Sequence, residues 1–412
     1  MRWRVPRALP VPPQKRPLVC PYCYADFPAR RIRFRCTGLP GPRGRRCEPV
    51  EDAALRTHLG RREVLPPVFD ADGRRGHAIC TGCRGRTGRQ VCPVCHAQLP
   101  VRFARIRGRL IALVGAREVG KTVFMTVLVH ELMNRVGSRL GASVGGSDDR
   151  TRQRFVADHE APLYDRATLL QATRPTGLVR EPLVFRFTTR NRAPWGVRSP
   201  RHTLLSFFDT AGEDLTSQES VAAHLRYLDR ADGIVLLVDP LRLAGVRDLL
   251  GPGTDLPPPA GPGEDPLHVL ERVTEALVLG RAPTRRWVEV PLAVCVTKLD
   301  VLREHLDDGS PLRRPQPDAA HPGAADGQDV HAQIQQLLHR WGGGGIDDHV
   351  RTHYRRARYF GVSALGADPG PGRRVHGGVR PYRVADPFLW LLGEFGVVPG
   401  RPGGSGTPGP FT

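Results

Sequence analysis

Eight of the nine cysteines fall within one 76-residue span. Cys20-Pro-Tyr-Cys23, Cys80-Thr-Gly-Cys83 and Cys92-Pro-Val-Cys95 are CxxC knuckles, and Cys36 and Cys47 stand between them. Thiolates at this spacing can wrap a soft cation, and eight of them predict two four-cysteine zinc sites. The tightest unit is CxxC-x8-CxxC at the end of the span. It assigns Cys80, Cys83, Cys92 and Cys95 to one ion, leaving Cys20, Cys23, Cys36 and Cys47 for the other; a cross-braced pairing stays open. Disulfides are the alternative in an oxidising compartment and are disfavoured elsewhere. Cys92–His96 also spells the CxxCH of haem attachment, which needs export, and an iron–sulfur cluster is a further alternative. His96 then reads as a solvated neighbour. Tyr22, Tyr24, Phe27 and Phe34 interleave with arginines and read as the miniature core of the zinc module. Cys295, in an apolar run, reads as a buried core thiol.

A second chemistry lies at Gly115-Ala116-Arg117-Glu118-Val119-Gly120-Lys121-Thr122, which matches GxxxxGK[ST]. It follows an apolar run and precedes a helical pattern, as a phosphate-binding loop requires. Glycines let backbone N–H groups face the phosphates, and the helix N-terminus adds partial positive charge. Lys121 would reach the β- and γ-phosphates, and Thr122 would ligate Mg²⁺.

Two later motifs favour GTP over ATP. Asp209-Thr-Ala-Gly212 ends a strand pattern; its carboxylate could hold Mg²⁺ through water, and Gly212 could offer its N–H to the γ-phosphate. Thr297-Lys298-Leu-Asp300 ends another. The Asp300 carboxylate could accept from the N1–H and N2–H₂ of guanine, donors that adenine lacks as a pair, while the Lys298 stem covers the ring. Ser363-Ala364-Leu365 follows the last strand pattern, where backbone N–H groups could meet the guanine O6. Only three of the 61 basic residues are lysines, namely Lys15, Lys121 and Lys298. Two of them stand where a compact ammonium is needed and a guanidinium fork would not fit.

Four motifs in this order, each at the C-terminal end of a strand, resemble a Ras-like P-loop GTPase of the TRAFAC class over about residues 107–396. The resemblance implies a mixed sheet with helices on both faces, Mg·GTP as ligand and a GTP/GDP switch. More narrowly, the cysteine-rich start, the long insertions and the late Phe-Leu-Trp-Leu-Leu segment resemble bacterial GTPases of the double-GTPase type, regulators in multi-component conflict systems. The chain departs from the wider class at several points. Arg117 and Glu118 are bulky for the P-loop. Glu213 follows DTAG where many relatives carry the glutamine that orients water, which implies slow hydrolysis. Thr297 replaces a more usual asparagine. Thr173 and Thr176 both precede the second strand as candidates for the switch threonine.

These groups need an α/β scaffold to position them. Arg109–Gly115, Leu183–Thr188, Thr203–Asp209, Gly233–Asp239, Pro291–Thr297 and Arg358–Ser363 read as strands, two of them as central parallel strands buried on both faces. Leu270, Val273 and Leu277 share a helical face, as do Val330, Ile334, Leu337, Leu338 and Trp341. Phe388–Phe395 reads as a closing helix. The expected fold is therefore a P-loop NTPase mixed sheet flanked by helices, preceded by a small cysteine-rich zinc-binding domain. Its expected parts are a module over 1–105 and a GTPase domain over 106–398. Insertions are expected at about 249–265 and 304–328, then a flexible tail over 399–412. The module shows little helical periodicity, and no internal repeat stands out.

Composition sets the remaining bounds. Apolar residues make up 40% of 412, enough for a sizeable core. No run approaches the roughly 18 apolar residues that span a bilayer, and the basic N-terminus lacks an apolar core for a signal peptide, so a cytoplasmic site is expected. The formal charge is +20, and residues 1–105 hold 22 Lys+Arg against 7 Asp+Glu. That surplus leaves nucleic acid as a conceivable partner. The Arg, Gly and Pro bias, however, also follows from a GC-rich genome, so a protein effector or regulator is preferred. Two other functions fit parts of the sequence: a zinc-dependent adaptor or nucleic-acid binder with the P-loop domain as scaffold, and a P-loop ATPase.

Overall fold

The computed structural model describes residues 17–101, 103–170, 182–192, 198–207, 227–251, 256–258, 261, 265–279, 287–316, 324–369 and 374–398. Seven strands form one mixed sheet in the order Ala142–Gly146, Leu183–Arg192, Arg198–Phe207, Arg107–Gly115, Gly233–Val238, Leu292–Val296 and Ala357–Gly361. The first strand pairs antiparallel with the second and the second with the third, with Leu183 opposite Phe207. Arg107–Gly115 runs parallel to Arg198–Phe207, and the last three strands are parallel to one another. Every residue of Gly233–Val238 and Leu292–Val296 is buried, as expected for strands covered on both faces.

The chain separates into two compact units, one of residues 1–112, 141–158 and 173–232, the other of 113–140, 159–172 and 233–412. The second holds the parallel strands and the helices Lys121–Glu131, Pro266–Leu279, Ala324–Arg340, Gly344–His353 and Asp386–Glu394. The stripe on Ala324–Arg340 is buried as its spacing predicts, with Val330, Ile334, Leu337, Leu338 and Trp341 at 3% exposure or less. Cys295 is fully buried, a core thiol. Within 304–316, Leu306, Ser310, Pro311 and Leu312 are buried. Arg383, 1% exposed, lies within 3.1 Å of the Asp326 and Asp386 carboxylates.

Short paired strands build the cysteine-rich region. Leu18–Val19 pairs with Asp26–Phe27, and Ala78–Ile79 pairs with Arg86–Thr87. Arg33–Arg35 lies between Val68–Phe69 and Gln90–Val91. One feature differs from the expectation of little helix: Ala53–Leu59 is a helix, capped by Asp52, whose carboxylate accepts from Leu55 N. Its sequence marks are slight: Asp52 before it, Leu55 and Leu59 on one buried face, and Gly60, left-handed, after it. Tyr22, Tyr24, Phe27 and Phe34 are each 7% exposed or less, so they are core, as expected.

Candidate nucleotide site and zinc centres

The eight thiols gather into two groups of four, but not in the expected pairs. Cys20 and Cys23 meet Cys92 and Cys95; Cys36 and Cys47 meet Cys80 and Cys83. Cys80, Cys83, Cys92 and Cys95 therefore do not share an ion, and the cross-braced alternative is the one that forms. Strand pairing is the cause. Arg33 lies opposite Val91, while Arg35 N donates to the Arg89 carbonyl. Chain entering this strand from the first knuckle thus lies beside chain entering the last knuckle, and Cys36, leaving it, turns toward the second, Cys80–Cys83.

The sulfur geometry suits single ions. Zn–S bonds of about 2.3 Å in a tetrahedron put sulfurs about 3.8 Å apart. Cys20–Cys95 and Cys23–Cys92 are both 3.8 Å apart, Cys36–Cys83 3.6 Å and Cys47–Cys80 3.7 Å. Backbone N–H groups of Tyr22, Gly38, Gly85 and Val94 donate to Cys20, Cys36, Cys83 and Cys92 at 3.3–3.4 Å, stabilising thiolates. Burial raises the Cys80 thiol, but hydrogen bonds from Cys83 and Gly82 N–H and from the Cys47 and Cys36 thiols outweigh it and hold it at about 7. Both sets fit Zn²⁺.

The three CxxC knuckles repeat one backbone design, a repeat that the sequence did not disclose beyond the cysteines. In each, the N–H after the second cysteine donates to the carbonyl of the first: Tyr24 to Cys20, Arg84 to Cys80, His96 to Cys92, at 3.0–3.2 Å. That residue is left-handed each time, with φ of +60°, +64° and +56°. His96 is not solvated as expected. Its Nδ1 lies 2.8 Å from Asp52 and its Nε2 3.1 Å from Arg33. Asp52 also pairs at 2.7 Å with Arg35, both side chains 6% exposed. This network, buried at Arg35 and Asp52, ties the last knuckle to the short helix and the three-stranded sheet.

The second unit holds the P-loop. Gly115 is required by close approach: a Cβ there would lie 2.8 Å from the Leu237 carbonyl of the adjacent strand. Gly120 sits at φ +92° before the helix Lys121–Glu131, and Phe124 N closes the first turn on its carbonyl at 2.8 Å. Lys121, 8% exposed, donates to the carbonyls of Gly115 at 2.9 Å and Ala116 at 2.8 Å. The ammonium is thereby held across the loop, where arriving phosphate oxygens would replace carbonyl acceptors. Ala116 and Val119 are buried, whereas Arg117 and Glu118 project outward 4.0 Å apart, with side chains 50% and 55% exposed. Glu118 takes φ +61°, an uncommon backbone for a non-glycine residue. Thr122 lies in the first turn of the helix, and its carbonyl accepts from the Thr126 hydroxyl.

The guanine-motif residues lie in the same unit. Thr297 donates its hydroxyl to the Val238 carbonyl at 3.1 Å, so it braces the neighbouring strand. Lys298, at φ +53°, places Nζ 2.6 Å from Asp239 Oδ2. Asp239 is 1% exposed and also accepts from Leu241 N. It is a residue the motif search missed; its place at a strand end was the signal. Ser363 donates to Asp300 Oδ1 and accepts from Gly366 N at 2.9 Å, which joins the two guanine-side motifs. Leu365 offers its carbonyl to Arg380 N, with Ala364 between. Thr173, Thr176, Asp209, Gly212 and Glu213 lie outside the described residues.

No helix among the described residues is long and apolar enough to cross a membrane. The sequence matches the family described as Double-GTPase 2 over residues 109–314. It is also 33% identical over 331 residues to a protein of Mycolicibacterium smegmatis named as a proposed ESX-1 scaffolding and assembly protein, SaeC; the match covers 75% of this chain and 80% of that one. The matched span runs from the strand that leads into the P-loop to beyond the Lys298–Asp300 motif. By this match and the geometry it encloses, the chain belongs to the Double-GTPase 2 family.

Proposed function

We propose that this chain is a GTP-binding regulatory switch with slow, Mg²⁺-dependent hydrolysis, acting on a protein assembly. One observation carries the reading: a single compact unit holds a P-loop whose lysine is drawn over its own carbonyls and an Asp300–Ser363 pair at the ends of neighbouring parallel strands. Ligands bind at that edge of open α/β sheets. Backbone N–H groups of 116–122 and Lys121 would take the phosphates, with Thr122 and Asp209 as Mg²⁺ ligands. Mg²⁺ would supply charge neutralisation between the β- and γ-phosphates. Asp300 would accept from guanine, Lys298 would cover the ring, and the backbone of Ser363, Ala364 and Leu365 would face O6. Thr173 or Thr176 and Gly212 would sense the γ-phosphate. Glu213, which cannot donate as glutamine does, makes hydrolysis slow.

The relative's role in scaffolding and assembly supports a protein partner as the recipient of the switch. Calorimetry on zinc-loaded protein with Mg²⁺, comparing GTP, GDP and ATP, tests the reading. Tight GTP and GDP binding that Asp300→Ala abolishes is expected. A preference for ATP, or no heat with any nucleotide, would overturn it.

A further inference from the structure

The first zinc knuckle is built onto the strands that bracket the reaction motifs. The Ser206 hydroxyl donates to the Pro21 carbonyl at 2.8 Å. The Tyr22 hydroxyl donates to Asp148, the residue that caps the helix Asp149–Arg154, and lies 3.4 Å from Ser147 Oγ. The Tyr24 ring meets Tyr227 at 5.3 Å between centroids, and Asp26 pairs with Arg230 at 2.6 Å. Cys20, Tyr22, Phe27, Cys92 and Cys95 share one core with Val184 and Leu204. All of these residues belong to the first compact unit.

Their sequence positions matter. Ser206 precedes Asp209–Glu213, and Tyr227 and Arg230 follow it. Val184 follows Thr173 and Thr176. A seven-residue stretch, Cys20–Asp26, therefore touches positions on both sides of the DTAG motif and the strand after the candidate switch threonines. The other thiol group has no such reach: among the described residues its core is drawn from Phe34, Phe69, Ala71, Ala78 and its own cysteines.

We propose that zinc in the Cys20–Cys23–Cys92–Cys95 site is thermodynamically linked to the nucleotide state, with Pro21, Tyr22, Tyr24 and Asp26 as the linking contacts. This rests on the GTP-switch reading above. The knuckle's left-handed turn at Tyr24 is closed by the Cys20–Ala25 backbone bond and by the four thiols sharing an ion. Those constraints present the Tyr22 hydroxyl and the Asp26 carboxylate at fixed positions. A nucleotide that shifts Ser206, Tyr227 or Arg230 must then strain or relax the knuckle, and so change its hold on zinc. Linkage is reciprocal, so loss of that zinc must change nucleotide affinity by the same factor. The second site stands outside this linkage.

The test uses full-length protein carrying two zinc ions. Zinc transfer to 4-(2-pyridylazo)resorcinol is followed without nucleotide, with GDP, and with a non-hydrolysable GTP analogue and Mg²⁺. Cys47→Ser, which removes the more exposed ligand of the second site, identifies the phase belonging to the first. The expected result is a first-site zinc affinity, read from the transfer at equilibrium, that differs about fivefold or more between GDP and the analogue, with the second-site affinity unchanged. Tyr22→Phe combined with Asp26→Asn should shrink that difference toward one while zinc content and GDP affinity persist. If calorimetry shows GDP binding but neither phase responds, or both respond equally, the linkage is overturned and the switch reading stands. Absence of any nucleotide heat overturns the switch reading and the linkage with it.

Discussion

Lys298 Nζ and Asp239 Oδ2 lie 2.6 Å apart, joining the guanine-motif lysine to a buried carboxylate at the end of the neighbouring strand. The pair fixes where the lysine stem runs, because Lys298 already holds a left-handed backbone that few side chains adopt. Asp239→Asn keeps the shape and removes the charge. It is expected to weaken GTP and GDP binding by roughly tenfold, about 1.4 kcal/mol, through loss of lysine orientation. Calorimetry checks this; an unchanged affinity would assign the pair to strand-end packing alone.

Lys121 is the sharper probe of the P-loop. Its ammonium makes two charge-assisted bonds to loop carbonyls at 2.8–2.9 Å, contacts a ligand would exchange for phosphate oxygens. Lys121→Ala should reduce GTP affinity by about 100-fold or more, close to 2.7 kcal/mol. Lys121→Arg should not restore it, because a planar fork cannot occupy the site of a compact ammonium. Rescue by arginine would mean that only net charge matters there.

The zinc pairing yields a counting experiment. Native mass spectrometry should find two zinc ions per chain. Cys23→Ser with Cys92→Ser disables one site and should leave one ion. Cys23→Ser with Cys80→Ser disables both and should leave none. The adjacent-knuckle pairing expected from spacing reverses part of this pattern, since it would place Cys80 and Cys92 on one ion.

That reversal shows where sequence stopped being informative. The eight ligands were legible because thiol spacing is chemistry carried by residue type. Their pairing was not, because it depends on Arg33 lying opposite Val91 and on the Arg35–Arg89 backbone bond, non-local contacts between strands of two or three residues. The Gly115–Thr122 and Thr297–Asp300 segments stand out in the sequence for the same reason as the cysteines, and the apolar runs of the parallel strands located their supports. Asp239 and His96 were not, since each acquires its role from a partner 44 to 59 residues away. The edge strand Ala142–Gly146 was also missed: its glycines and half-exposed pattern carry no alternation.

Acid stability should report on Asp347. Burial works against its charge, yet hydrogen bonds from His339, Tyr359 and Gln335 outweigh it and hold the carboxyl below its usual value. A carboxyl lowered on folding contributes stability that is full above the ordinary range near 4 and is lost as pH falls through the folded value. Thermal unfolding measured from pH 7 to 3 should therefore show a falling limb below about pH 4 that Asp347→Asn flattens. The same variant should be less stable at neutral pH by about 1–3 kcal/mol, since it loses charge-assisted bonds in a buried site.

Hydrolysis rate is the last quantity the sequence constrains. Glu213 follows Asp209–Gly212 at the position where a glutamine can both accept from the attacking water and donate toward the γ-phosphate. In the proposed switch, a carboxylate at that position would only accept and would add negative charge beside a phosphate that is already anionic. Glu213→Gln removes that repulsion and restores a donor. Single-turnover hydrolysis of Mg·GTP should then rise by at least about tenfold, equivalent to roughly 1.4 kcal/mol of barrier, with GDP affinity unchanged. A slower variant would mean that Glu213 itself activates the water as a base, and the wild-type rate would then climb with pH as that carboxyl ionises.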